Sequence, residues 1–101
     1  MRVVWSNKGS GAHARIYQYL AERDPAAAVR VGRRIAEGAA ALGQHLTGRP
    51  GRYRRSYEKS LTDIHYVLVY RLERRSGQEV VVILDVVHTR RNWPPDQMPP
   101  A

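Results

Sequence analysis

The spacing of apolar residues divides this chain into a helical half and a strand half. A short opening strand, Arg2 to Trp5, is predicted because its residues favour a pleated, half-buried surface. Apolar residues then recur at helical spacing to about position 23, and Ser6 or Ser10 can cap this first helix. Gly9 and Gly11 are poor helix formers, so we expect the first turn to be weak.

Asp24 and Pro25 mark the start of a second helix. Aspartate accepts hydrogen bonds at a helix N-cap, and proline fits the first turn, where a missing N–H leaves no bond unmade. The stripe predicted to be buried comprises Ala28, Val31, Ile35, Ala39, Leu42 and Leu46, and the exposed side comprises Arg30, Arg33, Arg34 and Glu37. The two helices are therefore predicted to form a hairpin.

Three strands are predicted after the glycine- and proline-rich break at positions 48–51. They run over about Arg52 to Glu58, Ile64 to Leu72 and Val80 to His88, with a turn at Arg75-Ser76-Gly77. The middle strand alternates, with Ile64, Tyr66, Leu68 and Tyr70 on one face and His65, Val67, Val69 and Arg71 on the other. The order β-α-α-β-β-β predicts an α+β fold in which a helical hairpin packs on a mostly antiparallel sheet.

A chain of 101 residues is long enough for one hydrophobic core. We predict a single domain over residues 1–94, followed by a proline-rich tail over residues 95–101.

The lack of cysteine excludes disulfides and thiolate metal sites and favours a reducing cytosol. We find neither a secretion signal nor an apolar run of about 18 residues, so we expect a soluble, cytoplasmic protein without a cofactor or metal.

The charge of the chain points to an acidic or polyanionic partner. Lysine and arginine number 17 against 9 acidic residues, a formal charge of +8, which favours nucleic acid, a nucleic-acid-bound machine or an acidic protein. Part of this charge is concentrated at Arg52, Arg54, Arg55 and Lys59. From position 49 to position 59 only Glu58 is acidic. On a strand, Arg52 and Arg54 would project from one face and Arg55 from the other.

The predicted last strand ends in a cationic, aromatic sequence, His88-Thr89-Arg90-Arg91-Asn92-Trp93-Pro94. Because the strand delivers these residues to the surface, they are candidates for contact with the partner. Trp93 can equally pack over the sheet edge as a structural lock, with Pro94 ending the strand. His88 is in register with Leu84 and Val86, and it can be either a hydrogen-bonded histidine at the edge of the core or a proton donor.

Five segments of the chain carry a further signal. They are Trp5-Ser6 with Ile16 and Tyr19-Leu20-Ala21-Glu22; Asp24-Pro25-Ala26-Ala27-Ala28; Gly48-Arg49-Pro50-Gly51-Arg52; Tyr66-Val67-Leu68-Val69-Tyr70-Arg71; and the closing His-x-x-Arg-x-Trp-Pro motif. In this order and spacing they resemble the RelE/ParE superfamily of bacterial toxins. The Gly-Arg-x-Gly turn and the Arg-x-Trp-Pro end are similar to the ParE branch.

Two segments depart from the family pattern. Ala12-His13 stands where many ParE-like sequences have Asp-Leu, and Arg55-Ser56-Tyr57-Glu58 stands where many have Gly-Thr-Arg-Glu. Tyr57 therefore replaces the arginine of that element, whereas Glu58 matches it. No role of that arginine carries over to this chain.

The resemblance implies the toxin half of a toxin–antitoxin pair. ParE-like members poison DNA gyrase and block replication, whereas RelE-like members cut mRNA on the ribosome. We expect the gyrase-type function, without catalysis, and a cognate acidic antitoxin that folds on binding. Residues expected to contact the target are Arg52, Arg54, Arg55, Tyr57, His88, Arg90, Arg91 and Trp93; those expected to contact the antitoxin are Arg30, Arg33, Arg34 and Arg71.

The alternative is a ribosome-dependent mRNA endoribonuclease. Cleavage through the ribose 2′-OH needs a general base, a general acid and cations against the phosphate. Glu58 is the candidate base and His88 the candidate acid. Arg52 and Arg54 are candidate phosphate clamps, and Tyr57 can stack on a base. The Trp-Pro ending disfavours this alternative, because many ribosome-dependent nucleases end in Tyr or His-Tyr.

Overall fold

The computed structural model describes residues 1–89 as a helical hairpin on one five-stranded sheet. Its elements are β1 (Arg2–Trp5), α1 (Asn7–Ala21), α2 (Pro25–Leu42), β2 (Arg49–Pro50), β3 (Tyr57–Leu61), β4 (Tyr66–Arg75) and β5 (Gln78–His88). The strand order is β1-β5-β4-β3-β2, with β1 parallel to β5 and the other neighbours antiparallel. The predicted α+β fold is confirmed, with the two-residue β2 as an additional edge strand.

Helix α1 begins against the backbone of β5. Ser6 caps the helix, since its Oγ accepts a hydrogen bond from the N–H of Gly9 at 3.0 Å, and its own N–H donates to the carbonyl of Ile83 at 3.0 Å. A Cβ at Gly9 would collide with the carbonyl oxygen of Ile83. The glycine expected to weaken the helix is therefore also what allows it to approach the sheet this closely.

Helix α2 confirms the predicted start and most of the predicted buried stripe. Asp24 caps it by accepting a hydrogen bond from the N–H of Ala27 at 3.1 Å, and Pro25 occupies the first turn. The buried residues include Ala28, Val31, Ile35, Ala39 and Leu42. The prediction for Leu46 is wrong, because the helix ends at Leu42 and Leu46 lies beyond it with 46% of its surface exposed.

The predicted strand from Arg52 to Glu58 is also wrong over most of its length. Residues 52–56 form a loop with a tight turn, in which the N–H of Ser56 donates to the carbonyl of Tyr53 at 3.1 Å. Arg55 has a φ of 61°, a left-handed conformation that a strand does not accept. Pairing with β4 begins only at Tyr57, so the arginines of this segment do not alternate across a sheet.

The predicted alternation of the middle strand holds within β4. Tyr66, Leu68 and Tyr70 face the helices, and the intervening residues face the opposite side of the sheet, called here the outer face. Ile64 and His65 belong instead to the turn before the strand. The predicted turn between β4 and β5 is confirmed, with positive φ at Ser76 and Gly77.

A β-bulge changes the register between β4 and β5. Val69 pairs with Asp85 and the next residue, Tyr70, pairs with Ile83, which leaves Leu84 as an extra residue in β5. Ile83 faces the core before this point and Val86 faces it afterwards. The bulge therefore reverses which positions of β5 point towards the helices.

The close approach of α1 to β5 predicts opposite effects for two neighbouring glycines. Gly9→Ala should destabilise the protein by about 1–3 kcal/mol, because the added methyl group forces backbone away from backbone. Gly11→Ala is the matched control, since its Cβ would meet only the flexible guanidinium of Arg15 at 3.1 Å, and higher helix propensity should stabilise by up to about 1 kcal/mol. The measurement is the urea midpoint of each variant at constant m-value. Equal stabilisation by both substitutions would contradict the contact of Gly9 with Ile83.

Candidate functional site

Four exposed arginines lie at the β2–β3 edge of the sheet, and we call this segment the arginine loop: Arg49, Arg52, Arg54 and Arg55. The loop is closed by a hydrogen bond from the N–H of Gly51 to the carbonyl of Ser56 at 2.8 Å. The hydroxyl of Ser56 donates to the carbonyl of Tyr53 at 2.7 Å, and Ser56 is buried. These bonds give the loop one defined conformation even though it is not a strand.

Glu58 holds the base of the arginine loop. It lies on the outer face and is only 8% exposed. Its Oε2 accepts a hydrogen bond from the backbone N–H of Arg52 at 3.1 Å, and its Oε1 is 3.9 Å from the guanidinium of Arg49. A buried carboxylate needs such partners, because burial without them is costly. Both oxygens of Glu58 are therefore engaged within the loop.

Tyr53 of the loop is half-buried near the outer face. Burial raises the pKa of its phenol, and the nearby carboxylates of Asp85 and Glu58 raise the pKa further, against a smaller lowering by Arg52. The neutral phenol thus lies close to carboxylates of β3 and β5. Asp85 also forms an ion pair with Lys8 of α1 at 3.7 Å, which links β5 to that helix.

A small cavity of about 130 Å³ lies beside the loop. Its lining comprises Arg49, Arg52, Glu58, Ser60, Val67, Val87, His88 and Thr89. It gathers three of the four residues predicted for a nuclease site, whereas Arg54 is not among its lining residues. Arg49, Ser60 and Thr89 were not among the predicted site residues, although Arg49 lies in the Gly-Arg-x-Gly segment.

The rings of His88 and Tyr66 are in contact. They meet edge to face with centroids 5.0 Å apart, and the ring of His65 lies 6.5 Å from that of His88. His88 pairs with Tyr66 across β4 and β5, on the side that carries the core, whereas Glu58 belongs to the outer face. Strand alternation therefore directs the predicted base and the predicted acid to opposite faces of the sheet.

Tyr57 lies on the helix side of the sheet. Its ring stacks on Tyr70 with centroids 5.5 Å apart and an interplanar angle of 24°. Tyr70 is buried and donates its hydroxyl hydrogen bond to the carbonyl of Thr47 at 2.6 Å, and burial raises the pKa of its phenol. Tyr57 is therefore separated by the sheet from the Glu58 cavity.

The residues predicted to bind an antitoxin lie on two separate surfaces. A groove of about 500 Å³ runs along α2 and is lined by Ala26, Val29, Arg30, Arg33, Arg34, Glu37, Asp63 and Ile64. Within it Arg34 donates from Nε to Asp63 at 2.9 Å. Arg71 instead lies on the outer face, where Arg71 and Arg75 bind Glu73 and their hydrogen bonds lower the pKa of that carboxyl.

Three predicted target-contact residues, Arg90, Arg91 and Trp93, lie outside the described residues, as does the predicted tail over 95–101. Within residues 1–89, no cluster of three or more histidine, aspartate or glutamate side chains could hold a metal ion. No helix in the same range is long and apolar enough to span a membrane.

Comparison with known proteins agrees with the fold and with the sequence motifs. Residues 3–93 match the family model described as the ParE toxin of the type II toxin–antitoxin system parDE. The toxin candidate Y4kP of Sinorhizobium fredii is 36% identical over 94 residues, which cover 92% of this chain and 93% of that protein.

Two solved structures share the fold. A chain of the chromosomal ParDE system from P. aeruginosa has a TM-score of 0.76 at 18% identity, over 89% of this chain and 97% of that chain. The YoeB/ParE toxin from Agrobacterium tumefaciens has a TM-score of 0.57 at 13% identity, over 87% and 98% of the two chains. With a family model that matches residues 3–93 and a relative of 36% identity, the chain belongs to the ParE toxin family of type II toxin–antitoxin systems.

Proposed function

We propose that this chain inhibits DNA gyrase by binding to it, and that a cognate antitoxin neutralises the inhibition. The observation that carries a binding mechanism over a catalytic one is the state of Glu58. A general base must be within hydrogen-bond reach of the proton that it removes. Glu58 is buried, its Oε2 accepts a hydrogen bond from the N–H of Arg52, and its Oε1 is 3.9 Å from the guanidinium of Arg49. This arrangement supports a structural carboxylate that shapes a contact surface.

His88 adds a second argument for binding. Acid–base cleavage of a phosphodiester requires the acid and the base to reach opposite sides of one reacting centre. The ring of His88 packs on Tyr66 at the helix side, and Glu58 faces the outer side. Glu58 and His88 line one small cavity, but their strands direct the two side chains to opposite faces of the sheet, which supports binding over acid–base cleavage.

The second candidate is an mRNA endoribonuclease that acts on the ribosome. One observation favours it: Arg52, Glu58 and His88 line the same small cavity together with Arg49. Cations beside a carboxylate are the groups that phosphodiester cleavage uses. A gyrase inhibitor produces cleaved plasmid, whereas a nuclease produces cleaved mRNA, so the two functions can be distinguished directly.

The first test uses the purified chain with gyrase, ATP and supercoiled plasmid. We expect cleaved plasmid to accumulate with toxin concentration, whereas ribosome-bound mRNA incubated with the same protein should stay intact in primer extension. New mRNA ends without any effect on plasmid topology would reverse this assignment and support the nuclease.

The second test uses substitutions that change chemistry but preserve shape. Glu58→Gln keeps an oxygen that can accept the hydrogen bond from Arg52, and we expect it and His88→Gln to change growth inhibition only modestly. In a nuclease the same changes should lower the rate by about 10² to 10⁴, because they remove the base or the acid. Glu79→Gln, an exposed position of β5, is the matched control. A loss of that size with Glu58→Gln, but not with Glu79→Gln, would be evidence for catalysis.

We further propose that the antitoxin binds the groove along α2. Ala26, Val29 and Ile64 offer apolar surface there, and Arg30 and Arg33 offer positive charge. An acidic amphipathic segment that folds on binding matches this combination. The candidate partner is the small protein encoded by the neighbouring reading frame.

Salt dependence tests the antitoxin proposal. Titration calorimetry should show weaker binding at high salt, because screening reduces attraction between exposed charges. Arg30→Ala with Arg33→Ala should weaken binding at low salt by roughly 1 kcal/mol, since each exposed charge pair contributes about 0.2–1 kcal/mol. Arg71→Ala, on the outer face, serves as the comparison. An affinity that is independent of salt, or one more sensitive to Arg71 than to the α2 arginines, would rule out this groove as the main site.

A further inference from the structure

We propose that the arginine loop binds the phosphate backbone of duplex DNA directly. The inference extends the proposed function, in which the target is an enzyme that holds DNA, but its test needs no gyrase. It assigns the loop a ligand chemistry of its own: consecutive phosphates of a double helix, contacted without sequence readout.

The first support is the charge of the loop. Residues 49–58 contain four arginines and one carboxylate, and that carboxylate, Glu58, is buried and already engaged. Some arginines outside the loop are paired locally, as Arg34 is with Asp63. Within residues 1–89, neither Arg54 nor Arg55 forms an ion pair or a side-chain hydrogen bond. Two exposed guanidinium groups therefore remain available for an anion outside the protein.

The second support is the fixed backbone of the loop. The bond between Gly51 and Ser56, the turn from Tyr53 to Ser56 and the bond from Arg52 to Glu58 hold it from both sides. A surface that is ordered before binding loses less conformational entropy when the ligand arrives. The loop is thus suited to bind a rigid, regularly spaced polyanion.

The third support is the small cavity at the foot of the loop. At about 130 Å³ it is smaller than the roughly 300–1,000 Å³ typical of ligand pockets, and it suits a single phosphate group. Two arginines and the hydroxyl-bearing Ser60 line it, and such side chains are common donors to DNA phosphates. Arg49 offsets the negative charge of Glu58 in its floor.

The surroundings of the loop favour duplex DNA over single strands or an acidic protein. Single-stranded nucleic acid is bound by stacking of its bases on exposed aromatic rings. Tyr57 lies on the other side of the sheet, stacked on Tyr70, and Tyr53 is half-buried. Protein interfaces usually include a large apolar anchor. Among residues 1–89 the exposed large apolar side chains are Met1, Tyr17, Tyr19, Val29, Leu46 and Tyr57, and none of them belongs to the arginine loop.

The test is fluorescence anisotropy of a labelled DNA duplex with the purified chain, without gyrase, between 50 and 200 mM salt. The logarithm of the association constant should fall linearly with the logarithm of salt, by about 0.9 per phosphate contact. The double variant Arg54→Ala, Arg55→Ala should reduce the steepness of this salt dependence by about 2. Its affinity should therefore fall roughly tenfold less than that of the parent chain when the salt is raised over this range. The melting temperature should not change, because both side chains are exposed.

The matched control removes the same charge elsewhere. Arg2→Ala with Arg15→Ala takes two exposed arginines from β1, at the opposite edge of the sheet, and from α1, and it should leave the slope unchanged. The proposal would be overturned if the duplex did not bind detectably at 50 mM salt, or if the control variant lost as much of the salt slope. It would also be overturned if single-stranded RNA bound more tightly than duplex DNA, or if polyglutamate displaced the protein as well as DNA does. If the loop arginines are needed for DNA binding but gyrase stays fully active in the presence of the protein, the DNA surface would be supported and gyrase would be excluded as the target.

Discussion

The bulge at Leu84 determines which side chains this sheet presents on each face. A strand residue changes face with every step, so one extra residue in β5 exchanges the faces of everything that follows it. Ile83 and Val86 both reach the core because the bulge lies between them, and Asp85 reaches the outer face near Tyr53. The start of α1 is tied to the same place, where Ser6 donates to the carbonyls of Ile83 and Leu84. Core packing and the composition of the outer face therefore share one cause.

On the outer face, the hydrogen bond between Glu58 and Arg52 outweighs the ion pair between Glu58 and Arg49. A hydrogen bond to a charged group contributes about 1.5–3 kcal/mol. The side chain of Arg49 is 71% exposed and its guanidinium is 3.9 Å from the carboxylate, and pairs of this kind contribute at most about 1 kcal/mol. Glu58 therefore acts mainly on the backbone of the loop, and Arg54 and Arg55 remain exposed.

The limits of sequence-based prediction follow from the range of the interactions concerned. The start of α2 at Asp24-Pro25 and the turn at Ser76-Gly77 were predicted correctly because a few neighbouring residues determine them. Residues 52–56 were assigned to a strand because their composition resembles one. Their turn depends on partners such as the carboxylate of Glu58, which meets the loop only after β3 has paired.

Other features were hidden for the same reason. The bulge leaves no mark in the alternation of β4, and it separates the ring of His88 from Glu58, although the sequence alone allowed the two to act as an acid–base pair. The exposure of Leu46 follows from an early helix end at Gly43, where a Cβ would crowd the carbonyl of Met1 at 2.5 Å. Met1 and Gly43, which are far apart in the sequence, meet at that boundary.

The two cationic surfaces constrain how neutralisation can work. The α2 groove lies on the helical layer, and the arginine loop lies at the β2–β3 edge and folds onto the outer face. An antitoxin segment confined to the groove would leave the loop open to the ligand proposed for it. If an antitoxin in this groove neutralises the chain as proposed, it must either extend past Asp63 and around the β3 edge to cover the loop, or prevent a large target from approaching that edge by its bulk. The first route predicts competition for small anions at the loop, whereas the second leaves them free to bind.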